Sequence, residues 1–159
     1  MTRYDRRLVL CFALFGACSK TSSDEAPPPA TAPAWVEADT KKPLEPQLAE
    51  QADIATKAGH RPIAYLHAAW CEPCRAIDAT RKTDEKMKAA FAPTHIISID
   101  IDSANPAELA KLGLTSGAIP VFYRLDGAGH TKGEAIDGGA WGENIPDNMA
   151  PPLAAFFAK

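Results

Sequence analysis

A tryptophan and two cysteines two residues apart, Ala69-Trp70-Cys71-Glu72-Pro73-Cys74-Arg75, constrain this chain more than any other stretch. The apolar tetrad Ile63-Ala64-Tyr65-Leu66 just upstream has the length of a buried strand, and Arg75 to Thr80 can continue as helix. The pair therefore falls where a strand ends and a helix begins. The first turn of a helix carries unpaired N–H groups and partial positive charge, both of which stabilise a thiolate. Helix-start cysteines at this spacing are redox-active more often than structural. Cys71 is the expected nucleophile and Cys74, one turn on, the expected resolving thiol. Pro73 is tolerated there because its missing N–H would have been unpaired in any case.

The other two of the four cysteines point to export. Arg3, Arg6 and Arg7 form a positive head, and Leu8 to Ala17 an uncharged apolar stretch. That stretch is about ten residues long, whereas a membrane span needs roughly 20. It ends in Gly16-Ala17-Cys18, which resembles the lipobox of bacterial lipoproteins and implies lipidation of Cys18. Cys11 would then leave with the signal segment 1–18, and only Cys71 and Cys74 would remain as free thiols. Residues 19–34 are rich in Ser, Thr, Ala and acidic residues around Pro27-Pro28-Pro29, a composition that reads as a flexible tether. The net charge of −3 comes with interspersed signs and no basic stripe, so nucleic acid is not an expected partner. Apolar residues make up 46% of the chain, enough for one compact core over 35–159.

Along that core the pattern alternates between helix and strand. Leu48, Ala52, Ala55 and Ala58 recur at helical spacing within Leu44 to Ala58, and Gly59 stops the helix. After the cysteine helix, Asp84 to Phe91 carries Met87, Ala90 and Phe91 at 3–4 spacing. His95 to Ile101 is the clearest strand, rich in β-branched residues. Asn105-Pro106-Ala107-Glu108 starts a helix that stops at Gly113. Val121 to Leu125 and Thr131 to Ile136 are strands joined by a hairpin turn at Asp126-Gly127. Residues 140–150 read as irregular, and Pro151 to Lys159 as a closing helix. The order α, β, α, α, β, α, β, β, α implies a mixed α/β layer structure.

These features together resemble the thioredoxin fold over residues 35–159. The resemblance rests on Trp70-Cys71-x-x-Cys74 between strand and helix, the strand ending Ile99-Asp100-Ile101-Asp102, and Gly117-Ala118-Ile119-Pro120-Val121 before the hairpin. It implies a central mixed sheet of four to five strands flanked by helices. It also implies that Trp70 flanks the site, that Pro120 is a cis-proline packed against the disulfide, and that Ile119 offers backbone groups to an extended substrate. Two positions depart from the pattern of the cytoplasmic thioredoxins. Tyr65 stands where they have a buried Asp, and Ser98 where that Asp has its Lys partner. The Glu72-Pro73 pair resembles membrane-tethered reductases of cytochrome c maturation. The spacing that follows resembles the C-terminal domain of transmembrane electron-transfer reductases.

The resemblance implies an extracytoplasmic thiol–disulfide oxidoreductase, with no cofactor or bound metal. Expected partners are exported proteins with disulfides or dithiols, a membrane electron donor, and the membrane itself through lipidated Cys18. Glu72 beside Cys71 disfavours the thiolate and points to a reductant, with an oxidase or isomerase of exported proteins as the opposite direction. A copper or other metal carrier on the same fold is the main alternative, because thiolates suit Cu(I). His67 and His95 would be its further ligands. Asp100, Asp102 and Asp137 read as turn and strand-end residues, and Trp35 and Trp141 as core or rim packing.

Overall fold

The computed structural model describes residues 34–115 and 117–159. The signal segment 1–18 with Cys18, and the tether up to residue 33, lie outside the described residues. Among the described residues no helix is long and apolar enough to cross a membrane.

Five strands form one sheet in the order β1-β3-β2-β4-β5. β1 (Ala34–Glu37), β2 (Arg61–His67) and β3 (Thr94–Asp100) are mutually parallel. β4 (Val121–Leu125) runs antiparallel to β2, and β5 (Thr131–Asp137) antiparallel to β4. The β4–β5 hairpin turns at Asp126, whose carboxylate accepts from the amides of Ala128 and His130. Gly129 completes the turn at φ +84°, with its Cα against the backbone of Leu48 and Ala49. A side chain there would meet backbone at 2.6 Å, so only glycine fits.

Helices cover both faces of the sheet. α1 (Leu44–Lys57) and α4 (Pro106–Lys111) close one side over Ala64, Leu66, Ile97, Ile99, Val121 and Tyr123. The other side is closed by α2 (Glu72–Thr80), α3 (Glu85–Phe91) and α5 (Pro146–Phe157), over Ile63, Tyr65, Ile96 and Phe122. The two sets alternate along β2 and β3, as the two-residue period of a doubly covered strand requires. Side-chain caps fix the short helices: Asp84 accepts from the amides of Lys86 and Met87, and Asn105 from that of Ala107.

β2 is longer than the expected Ile63–Leu66 tetrad, taking in Arg61, Pro62 and His67, and two further elements differ from the sequence reading. β1 was not expected as a strand; Trp35 and Val36 pair with Ile96 and Ile97 at the sheet edge. α5 begins at Pro146 rather than Pro151, so part of the segment read as irregular is helical. Pro146 suits the first helical position, and burial of Met149, Ala150, Leu153 and Phe157 holds the helix through Pro151 and Pro152. Each buried side chain of this size contributes about 1.5–3 kcal/mol, against roughly 3 kcal/mol for an interior proline. Asp147 is exposed, which leaves the carbonyl freed by Pro151 open to water.

Phe122 is fully buried and its ring meets Tyr65, Phe91 and Phe157 at centroid distances of 4.4, 5.9 and 5.5 Å. Phe122→Ala is expected to cost about 3–5 kcal/mol. A urea titration should show this as a lower midpoint with an unchanged slope.

Candidate active site

β2 delivers the chain to the cysteines. His67 O still accepts from Ile101 N, and Ala68 O from Cys71 N, so the turn into α2 is hydrogen-bonded throughout. Cys71 is the N-cap of α2, and its Sγ accepts the amide of Cys74 at 3.2 Å. This is the donor geometry that stabilises a thiolate once the pair is reduced. Cys71 and Cys74 are joined as a disulfide with their Cα atoms 5.3 Å apart. They keep 3% and 1% of their surfaces exposed, under Ala68, Ile101 and Ile119. Cys71 sits at the mouth of the helix and Cys74 one turn inside it, so an incoming sulfur meets Cys71 first.

The loop before β4 faces this pair. The Ile119–Pro120 peptide is cis. Ile119 packs against the cysteine cluster, and Pro120 next to it is buried. Pro120 is held from behind: its carbonyl accepts from Gly138 N, and a Cβ on Gly138 would stand 3.3 Å from its ring. Tyr123 Oη donates to the carbonyl of Thr115 and ties down the start of the same loop. Two clefts share Ile101 and Ile119 and so form one groove beside the cysteines. One, of about 340 Å³, adds Trp70, Gly117 and Ala118. The other, of about 240 Å³, adds Leu66, Pro106, Leu109, Leu114 and Thr115. A further cleft of about 310 Å³, lined by His60, Arg61, Arg124 and Lys159 among others, touches neither cysteine.

Trp70 stands 62% exposed over the groove, yet it is not free to rotate. Its indole Nε1 donates to both carboxylate oxygens of Asp102, at 3.1 and 2.9 Å. Asp102 had read only as a strand-end residue. Its sequence signal was its place directly after β3, whose C-terminal end lies beside that of β2. Asp137 keeps the expected local role and caps the 3₁₀ turn at Gly138–Ala140. Trp35 and Trp141 both pack into the core face under α2, α3 and α5.

Tyr65 is buried against Phe122 and His67, and burial first, then the nearby Asp78 carboxylate, pushes its phenol far above the usual range, with Arg81 opposing. Ser98 stands opposite Tyr65 in the sheet, with its hydroxyl near Val36 O and Glu37 Oε2. The two histidines considered as metal ligands are not brought together. His67 stacks on Tyr65 and lies 3.8 Å from Glu37 of β1, whereas His95 contacts Gln51 of α1 on the other side of the sheet. Among the described residues no three His, Cys, Asp or Glu side chains cluster as a metal site.

The fold is thioredoxin-like. A disulphide isomerase from Xylella fastidiosa superposes with a TM-score of 0.51 at 20% identity, covering 76% of this chain and 93% of that one. The oxidised DsbD C-terminal domain of Neisseria meningitidis matches at 19% identity and TM-score 0.44, over 64% and 83% of the two chains. Oxidised thioredoxin O1 from Arabidopsis thaliana matches at 20% and 0.43, over 66% and 86%. No family model and no curated protein sequence matches the chain.

Asp102→Leu should release the Trp70 ring while leaving the core untouched. Trp70 is the most exposed of the tryptophans at positions 35, 70 and 141, so acrylamide quenching reports mainly on it. Quenching is expected to increase and fluorescence anisotropy to fall, with stability changed by no more than about 1 kcal/mol.

Proposed function

We propose that this protein is an extracytoplasmic thiol–disulfide oxidoreductase that reduces disulfides of exported proteins, anchored to a membrane by lipid on Cys18. The observation that carries the redox reading is Cys71 Sγ at the N-terminus of α2, bonded to Cys74 and accepting the Cys74 amide. In the reduced protein the same amide and the helix dipole favour Cys71 as thiolate. The thiolate attacks one sulfur of a partner disulfide, and a mixed disulfide forms as the partner's second sulfur leaves. Cys74 then attacks Cys71 Sγ. The Cys71–Cys74 bond forms, the bond to the partner breaks, and the partner has gained two electrons. A membrane electron donor bearing a dithiol returns the pair to the reduced state by the same exchange in reverse.

Direction follows from how well the thiolate is stabilised. A strongly stabilised thiolate makes the disulfide form an oxidant. Here Glu72 occupies the first turn of α2, next to Cys71, and its negative charge works against the thiolate. That supports the reductant reading. Export and anchoring are supported by the arginine-headed apolar segment, Gly16-Ala17-Cys18 and the Pro-rich stretch before Ala34. Anchoring would raise the local concentration of membrane-linked partners.

Redox titration of the purified protein against glutathione or dithiothreitol is expected to give a potential near the reducing end of the range of about −270 to −120 mV. A value above about −150 mV would reverse the assignment to an oxidase. Cys71→Ser should abolish exchange, and Cys74→Ser should accumulate mixed disulfides on non-reducing gels. Capture by Cys71→Ser instead would invert the two roles. For anchoring, Cys18→Ala should move the protein out of the membrane fraction or leave it unprocessed. Failure of wild-type protein to incorporate a labelled fatty acid sinks that part of the proposal.

A further inference from the structure

The cleft of about 310 Å³ between the start of β2 and the β4–β5 turn has a basic lining of Arg61, Arg124, Lys132 and Lys159. Arg124 is already engaged: its guanidinium lies 4.8 Å from the centre of the Phe156 ring and pairs with Glu134. Arg61 donates to the carbonyl of Ala158 and so offsets the negative end of α5. Among the described residues neither Arg61 nor Lys132 nor Lys159 has a carboxylate partner. Asp126 also lines the cleft, but its carboxylate is taken up by its own turn. It accepts from the amides of Ala128 and His130 and lies 3.4 Å from His130 Nδ1. The balance is positive, and it stays positive if a carboxylate at residue 159 is counted against it.

Position decides what such a cleft meets. Ala34, His95 and Pro62 stand in register across β1, β3 and β2. Neighbouring strands lie about 4.8 Å apart, so the chain enters β1 about 10 Å from the cleft wall at Pro62. The 15 residues 19–33 span at most about 50 Å when fully extended. A lipid on Cys18 would hold this end of β2 closer to the headgroups than the end that carries the cysteines. α5 ends at the cleft and carries no charged residue after Asp147, so it sets no carboxylate against an approaching phosphate.

We infer that this cleft is a docking surface for anionic phospholipid headgroups, with Arg61, Lys132 and Lys159 meeting the phosphates of the membrane that carries the anchor. The inference rests on the anchoring proposed above. Each lysine or arginine brought to an anionic leaflet raises affinity about fivefold, a modest gain for three groups acting alone. A tether changes that, because it turns docking into an intramolecular step at high effective concentration. The attraction reaches only about 8 Å at physiological ionic strength, so it acts once the tether has brought the cleft to the surface. An acidic protein would satisfy the same charges, but the entry of the chain beside the cleft favours the membrane.

The full chain, purified from membranes, is mixed with vesicles of phosphatidylcholine alone or of phosphatidylcholine with phosphatidylglycerol. Sedimentation reports attachment, and hydrogen exchange read by mass spectrometry reports docking at the β4–β5 turn and the end of α5. These amides should exchange more slowly on the phosphatidylglycerol vesicles only, and high salt should remove the difference. Lys132→Gln, at an exposed side chain, should lower that protection about fivefold. Lys132→Glu combined with Lys159→Glu should abolish it, with reduction of Ellman's disulfide by the Cys71–Cys74 pair unchanged. Equal exchange on the two kinds of vesicle overturns the docking surface, as does full protection in the doubly reversed chain. Inorganic phosphate that protects the same amides equally without vesicles assigns the cleft to a soluble anion and overturns the lipid. Attachment to both vesicles without a difference in exchange removes docking and leaves the anchor. Attachment to neither removes both, and attachment to the phosphatidylglycerol vesicles alone, with protection, keeps docking and removes the anchor.

Discussion

The hydrogen bonding of β2 is the constraint on which the rest depends. It pairs with β3 on one edge and β4 on the other, and both its faces are covered by helices. A strand held on four sides leaves the chain at one place and in one direction. Cys71 therefore arrives at the start of α2 already aimed along the helix axis, and the groove from Ile101 to Ile119 is built by the strands on either side. Nothing in the CxxC sequence alone supplies that placement.

Much of this was legible from pattern. Val121 to Leu125 is a strand with the same bounds in sequence and structure, because an apolar run lies between a proline and a hairpin turn. α1 and β3 fall within a residue or so of their expected limits for similar reasons of periodicity and stops. β1 was hidden because four residues at a sheet edge carry no period of their own; Trp35 pairs there only because β3 offers a partner. The early start of α5 was hidden by Pro151 and Pro152, whose local preference is overridden by Met149, Leu153 and Phe157 reaching the core.

The site divides in the same way. Trp70, Cys71, Cys74, Ile119 and Pro120 lie in two short stretches that could be named directly from sequence. Asp102 could not be assigned in that way, since its partner Trp70 lies 32 residues away in the chain, in the turn after another strand. Tyr65 appeared as a departure from a pattern, and only its packing shows that the departure comes with a different set of neighbours, a stacked histidine on one side and Phe122 on the other.

The parallel arrangement of β1 and β2 gives the molecule two poles. The cysteines lie beyond the C-terminal end of β2, while Ala34 opens β1 at the level of His95, near the start of β3. Seven residues of β2 separate these ends by about 20 Å. Whatever precedes Ala34 thus joins the domain at the pole away from Cys71 and the groove. A chain held by its leading segment would present its reactive face outward, toward whatever approaches from the open side, and tension on that segment would load the β1–β3 hydrogen bonds before it reached the sulfur atoms.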